Sequence, residues 1–163
     1  MIELVSPFPP YAVPRVWSWV EPFRSRYFDD YQPATLDAFV RDWTHQDRLG
    51  RRTWGVVAND ELGGCVGAVE ATPVRVAVDF TFKEGFWNHG IAPQAVKMVM
   101  ARIFEGPAEK LTMVAFADNR ALVGMLKQAG AQIEGTLRGN TLRDGKLIDV
   151  VVLGVRKAVF NGV

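Results

Sequence analysis

The chain is poor in the residues that staple small proteins together or hold metals. Cys65 is its only cysteine, so no disulfide can close within the chain and no cysteine-rich metal site exists. His45 and His89 are the only histidines, too few donors for a zinc centre, and no metal is expected. An excess of one charge is also missing. Nineteen basic residues against eighteen acidic ones leave a net charge of +1, without the strongly basic face or tail of a nucleic-acid binder. No apolar run reaches membrane-spanning length, and the N-terminus has no basic start leading into a long apolar stretch. A soluble, cytoplasmic protein with no membrane partner is expected. Hydroxyls thin out along the chain: no serine follows Ser25 and no tyrosine follows Tyr31. Neither a Gly-x-x-x-x-Gly-Lys-Ser/Thr phosphate loop nor a Gly-x-Gly-x-x-Gly turn occurs, which counts against a nucleotide-binding domain.

What is present centres on Val74 to Phe104. Val74, Val76, Val78, Phe80 and Phe82 alternate with Arg75, Asp79, Thr81 and Lys83, the period of a half-buried strand. The period then changes to that of a helix, with Ala92, Val96, Val99 and Ile103 as its apolar stripe and Pro93 at its first position. Between them, Gly85 to Ala92 reads as a loop at a helix N-terminus, where unpaired amides and the positive end of the helix dipole suit phosphate oxygens.

The rest of the 163 residues reads as one domain, 1–163, long enough to bury a core unaided. A short strand at Ile2 to Val5 precedes prolines 7, 9 and 10. Val13 to Tyr31 is dense in aromatics, and Thr35 caps a helix with Leu36, Phe39, Val40 and Trp43 on one face, ending near Leu49-Gly50. Thr53 to Ala58 and Gly64 to Glu70 read as a hairpin turned by Asn59-Asp60 with Gly63-Gly64. Leu111 to Ala117 is a mostly apolar strand, read as buried on both faces. A helix from Arg120 to Ala129 stops at Gly130. Strands Gln132 to Arg138 and Leu147 to Arg156 flank the turn Arg143-Asp144-Gly145-Lys146. The predicted class is α+β: a central mixed, mostly antiparallel sheet of about six to seven strands, with helices on its faces.

Trp87-Asn88-His89-Gly90-Ile91-Ala92 resembles the Arg/Gln-x-x-Gly-x-Gly/Ala pyrophosphate loop of the GNAT acyltransferase superfamily, in the Trp-first variant of the RimJ/RimL-like ribosomal-protein N-acetyltransferases. Asp118-Asn119-Arg120-Ala121, Leu126-Lys127, Gly130, Glu134-Gly135-Thr136-Leu137-Arg138, Gly145 and Asp149 follow that family's order and approximate spacing. The resemblance covers roughly Arg52 to Val159. It implies a GNAT fold and transfer of an acyl group, from acetyl-CoA as co-substrate, to an amine of a protein N-terminus or a small molecule. A monomer or a homodimer fits that expectation.

The resemblance also implies site residues. Backbone around Phe80, Thr81 and Phe82 would face the pantetheine arm, with Trp87, Asn88, His89, Gly90, Ile91 and Ala92 at the pyrophosphate and Asn119 bridging strand, helix and cofactor. His89 is either an added charge or a solvent-exposed loop residue. Asn119 also reads as an N-cap. Glu70 and Asp79 are the candidate catalytic bases, each also readable as the solvated face of a strand. The family's central-strand glutamate falls at Ala77, and its proton-donating serine falls at Leu122. The dense N-terminal aromatics read either as the cap of a core or as the wall of an acceptor pocket. The departure at Leu122 leaves a second reading open, a non-catalytic binding or structural module of a larger assembly on the same fold.

Overall fold

The computed structural model describes every residue except Asn88 and Val163, and Tyr27 by its backbone alone. Seven strands form one sheet: β1 Ile2–Val5, β2 Arg52–Ala58, β3 Glu61–Thr72, β4 Arg75–Phe82, β5 Lys110–Phe116, β6 Gln132–Arg143 and β7 Lys146–Arg156. Their order is β1-β2-β3-β4-β5-β7-β6, with β4 and β5 parallel and every other neighbouring pair antiparallel. The helices are α1 Val13–Val20, α2 Arg24–Tyr27, α3 Leu36–Arg48, α4 Glu84–Trp87, α5 Ile91–Phe104 and α6 Arg120–Gln128. No described helix is long and apolar enough to cross a membrane.

Local sequence explains the tight turns. Asn59 and Asp60 take φ of 52° and 60°, and Asp144 and Gly145 take 52° and 69°, the left-handed pair that a two-residue hairpin of native twist requires. Gly63 and Gly64, read from sequence as part of the first turn, lie instead inside β3. They are small for a packing reason: a Cβ on Gly63 would stand 2.4 Å from the Phe86 ring, and one on Gly64 would stand 2.2 Å from Phe82.

Two helical layers cover the sheet. On one face α5 buries Ala92, Ala95, Val96, Val99, Met100, Ile103 and Phe104, which pack with Val56, Val66, Val76, Val78, Leu111 and Leu153 in the main core. Each of the larger of these side chains, Val and upward, contributes about 1.5–3 kcal/mol on leaving water. On the other face α1 and α3 close over Cys65 with Phe8, Val16 and Trp43. Thr35 caps α3 as the sequence predicts, its Oγ1 accepting from the Ala38 amide at 3.2 Å.

Three further expectations change. The helix after the central strand begins at Ile91, not Pro93, with Gly90 as its N-cap; Pro93 is still tolerated, because amides in a first turn have no intrahelical partner. The stretch from Gly85 to Ala92 is not all loop, since α4 winds one turn through Trp87. Finally, β5 is buried on one face only. Leu111, Met113 and Ala115 point into the core, whereas Val114 on the opposite face is 59% exposed, because α1 and α3 lie over the other half of the sheet.

Candidate active site

The parallel join between β4 and β5 holds for three residues, Arg75–Ala77 against Lys110–Thr112, and then opens. From Val78 to Phe82, β4 keeps its partner β3 while its other edge faces no strand. Into that gap opens a cavity of about 610 Å³. Phe80, Thr81, Phe82, Trp87, Asn119 and Leu122 line it on the sheet side, and Trp19, Val20, Phe23, Phe28, Pro33 and Phe39 on the side of the N-terminal segments. Of the two readings of the N-terminal aromatics, the cavity wall therefore applies to Trp19, Phe23 and Phe28. Tyr11 and Tyr31 point to solvent.

Of the predicted phosphate loop, Trp87 lines this cavity, whereas His89 and Ile91 line a separate one of about 310 Å³ with Met1, Ile2, Ala58, Asn59 and Gln94. Gly90 has φ +72°, and a Cβ built on it would meet nothing within 4 Å, so the glycine supplies a left-handed N-cap beside open space. Ile91 and Ala92 begin α5 behind it. His89 is exposed, and its Nδ1–H donates to the Gly85 carbonyl at 2.9 Å. Trp87 is anchored rather than free: its Nε1–H donates to the Phe82 carbonyl at 3.1 Å and its ring meets that of Phe82 edge-on at 5.6 Å. Asn88 lies outside the described residues. Asn119 does what a cap does, with Oδ1 accepting from the Leu122 amide at 3.1 Å, and it lines the cavity as well.

The two candidate bases part company. Asp79 lies on β4 at the opening and lines the cavity. Glu70 pairs with Val76 at the closed end of the strand, is exposed, and does not line it. Ala77, one alternation before Asp79, is exposed and offers no carboxylate. Thr81 is the only hydroxyl side chain among the described lining residues.

Sequence reading missed the partner of Asp79. Arg51 reaches from the end of α3, and its Nη2 donates to Asp79 Oδ1 at 2.5 Å. The guanidinium lies over the Trp43 ring at 4.8 Å, in the geometry of a cation–π contact. It rests on Gly67, where a Cβ would stand 2.3 Å from Nη2. The Arg51 side chain is 11% exposed and that of Asp79 58%, so the pair presents its carboxylate, not its guanidinium, to solvent. Beneath it, burial pushes the Cys65 thiol up to about 12. The one available signal was the period-two alternation, which puts Gly67 and Asp79 opposite each other and on the α1/α3 face.

A second missed group closes the rim. Asp30 carboxylate oxygens accept from the amides of Asp144 and Gly145 at 3.0 and 3.2 Å, and Asp29 accepts from the Thr141 hydroxyl at 3.0 Å. The segment carrying Phe28 and Pro33 is thereby tied to the β6–β7 turn. Asp149 serves that hairpin too, accepting from the amide of Gly139, where β6 bulges with φ +53°.

Comparison with known proteins agrees with this geometry. The model of the acetyltransferase (GNAT) domain matches residues 7–132. The chain belongs to the GNAT acetyltransferase family. It is similar to the uncharacterized N-acetyltransferase YoaA of Bacillus subtilis (strain 168), at 28% identity over 69% of this chain and 66% of that protein; the match thus spans just under two thirds of the relative's length. Among solved structures, the GNAT fold seen here superposes on RimL, a ribosomal alpha-N-protein acetyltransferase in complex with coenzyme A. The TM-score is 0.82 at 15% identity, covering 95% of this chain and 93% of RimL. Spermidine N-acetyltransferase from Vibrio cholerae, in complex with CoA and spermine, gives 0.80 at 15% identity, covering 98% and 97%. At such identities these structures speak for the fold.

Proposed function

We propose that the chain is an acetyl-CoA-dependent N-acetyltransferase whose acceptor is an amine. One observation carries the proposal: β4 and β5 part after three paired residues, and a cavity of about 610 Å³ lined by Phe80, Thr81, Phe82, Trp87 and Asn119 opens beside the parted strand. In this reading the pantetheine arm lies along the open edge of Phe80, Thr81 and Phe82. The amides of His89 to Ala92 take the pyrophosphate, aided by the positive end of the α5 dipole.

Transfer needs a neutral amine, a donor for the developing oxyanion and an exit for the thiolate. In this reading Asp79, which lines the cavity, receives the ammonium and takes its proton. The amine nitrogen then attacks the thioester carbonyl carbon; the C–N bond forms, the C–S bond breaks, and unpaired backbone amides along the β4 edge face the oxyanion. The amine's second proton ends on the sulfur of CoA. Leu122 carries no hydroxyl for that step, so the proton passes by relay through water or the Thr81 hydroxyl, which gives one proton to the sulfur and takes up the amine's in return. A thiol of pKa about 8.5 leaves acceptably without a dedicated acid, and positioning supplies much of the rate.

Calorimetry with acetyl-CoA, followed by thiol release in the presence of amines, tests the proposal. Saturable binding with amine-dependent CoA release is expected. Binding without release for any amine would favour the non-catalytic module that Leu122 leaves open.

A further inference from the structure

Resting on that proposal, the cavity also says what kind of amine fits it. We infer that the acceptor is a primary amine with a single positive charge, carried on an uncharged apolar body, preferably a flat aromatic one.

On the acceptor side the apolar walls come from four separate segments, Trp19 and Val20 of α1, Phe23 of the following turn, Phe28 and Pro33 of the next loop, and Phe39 of α3, with Arg26, Gln32, Asp42 and Gln46 as the polar lining between them. Such walls reward apolar area and flat rings, which stack offset or edge-on. The amine end is fixed by charge. Asp79 has one oxygen taken by Arg51, and its side chain remains 58% exposed, so it has room for one further cation.

A second positive charge on the acceptor would meet cations already at the cavity: Arg26 and Arg51 line it, and of its aromatic rings Phe28 is covered by Arg24. Arg24 lies over Phe28 at 5.7 Å and over Trp17 at 6.0 Å, and Arg51 lies over Trp43 at 4.8 Å. An extended polycation would therefore meet guanidinium groups of its own sign along the cavity. The two other lining carboxylates, Asp42 on α3 and Glu84 on α4, are exposed as Asp79 is, but Asp79 alone of the three is held in place by a buried guanidinium, that of Arg51. Buried Arg51 adds repulsion next to Asp79. The charge pattern thus admits one ammonium and disfavours a chain of them.

In chemical terms the acceptor R–NH3+ gives one proton to the Asp79 carboxylate and becomes R–NH2, which takes the acetyl group; R–NH–CO–CH3 and HS-CoA leave, and Asp79 returns its proton to solvent. The aromatic wall acts on R alone.

The test measures amine binding without the nucleotide, so that it succeeds or fails separately from the acetyl-CoA experiment. Phenethylamine and spermidine are titrated into the protein, with tryptophan fluorescence and calorimetry as readouts. Phenethylamine should bind at least about tenfold more tightly than spermidine. Phe39→Leu should weaken phenethylamine severalfold while leaving acetyl-CoA affinity unchanged, and Val20→Glu, on the partly exposed end of α1, should bring in spermidine. Equal or tighter binding of spermidine by the unmodified protein would overturn the inference, as would absence of phenethylamine binding by folded protein. If phenethylamine binds and acetyl-CoA does not, the acetyltransferase proposal fails while the reading of the cavity stands.

Discussion

Gly67 has no side chain because Arg51 occupies the place where one would be: a Cβ there would sit 2.3 Å from Nη2 and 2.4 Å from Nε. This contact seats the guanidinium between the sheet and Trp43 and points it at Asp79. The carboxylate at the mouth of the β4–β5 gap is therefore oriented by a residue 28 positions away in sequence.

Gly67→Ala should push Arg51 off its seat. Overpacking of this kind costs about 1–3 kcal/mol, and urea unfolding should show it as a lowered midpoint with an unchanged slope. Amine KM should rise together with that loss, because Asp79 loses its fixed orientation. A variant as stable as the parent with unaltered kinetics would remove Arg51 from the account.

Asp79→Asn and Glu70→Gln separate the two carboxylates that the sequence could not rank. Loss of a positioned base lowers rates by about 10²–10⁴, so Asp79→Asn should cut kcat/KM by at least about a hundredfold. Glu70→Gln, at the closed end of β3, should stay within about twofold, an amount worth only ~0.4 kcal/mol. Amine acetylation rates at saturating acetyl-CoA decide between them.

Those two residues show how far the sequence could be read. The alternation through β4 and the helix behind Gly90 were legible because period and turn chemistry are local. Thr35 at α3 and Gly130 after α6 were legible for the same reason. What was not legible depends on contacts distant in sequence: Glu70 and Asp79 look alike in alternation, and only the three-residue length of the β4–β5 pairing puts one at the opening and the other away from it. Gly63 and Gly64 read as turn glycines because nothing local shows that Phe86 and Phe82 will lie over them. The one-sided exposure of β5 likewise follows from where α1 and α3 settle, which an apolar run cannot state.

Asp30→Ala should loosen the rim without touching the cofactor end. It removes the acceptor for the amides of Asp144 and Gly145, each such bond being worth about 0.5–1.5 kcal/mol. The expected signature is a modest drop in stability and a raised amine KM, since Phe28 and Pro33 ride on the freed segment, with acetyl-CoA affinity unchanged. Equal effects on both substrates would show that the segment does not act on the acceptor side alone.

Cys65 offers a pH test of the core beneath the site. Burial raises its thiol from 9.0 to about 12, so the folded state holds the proton where the unfolded chain has released it. The resulting stabilisation is complete below pH ~9, the unfolded value, and is lost as pH climbs from there toward the folded value. Native protein at pH 9 should resist a disulfide-exchange reagent that modifies the urea-unfolded chain within minutes. Rapid native reaction would mean that α1 and α3 do not seal this face.

The most direct test of the central claim is acetyl-CoA binding to the parent protein and to Gly90→Glu, measured by calorimetry. Gly90 holds φ +72° with nothing within 4 Å of a side chain built there, so glutamate adds backbone strain of about 1–2 kcal/mol and sets a negative charge at the α5 N-terminus. The account predicts saturable micromolar binding by the parent and none by a variant that unfolds cooperatively. Absence of binding by the folded parent, or undiminished binding by the variant, would contradict it.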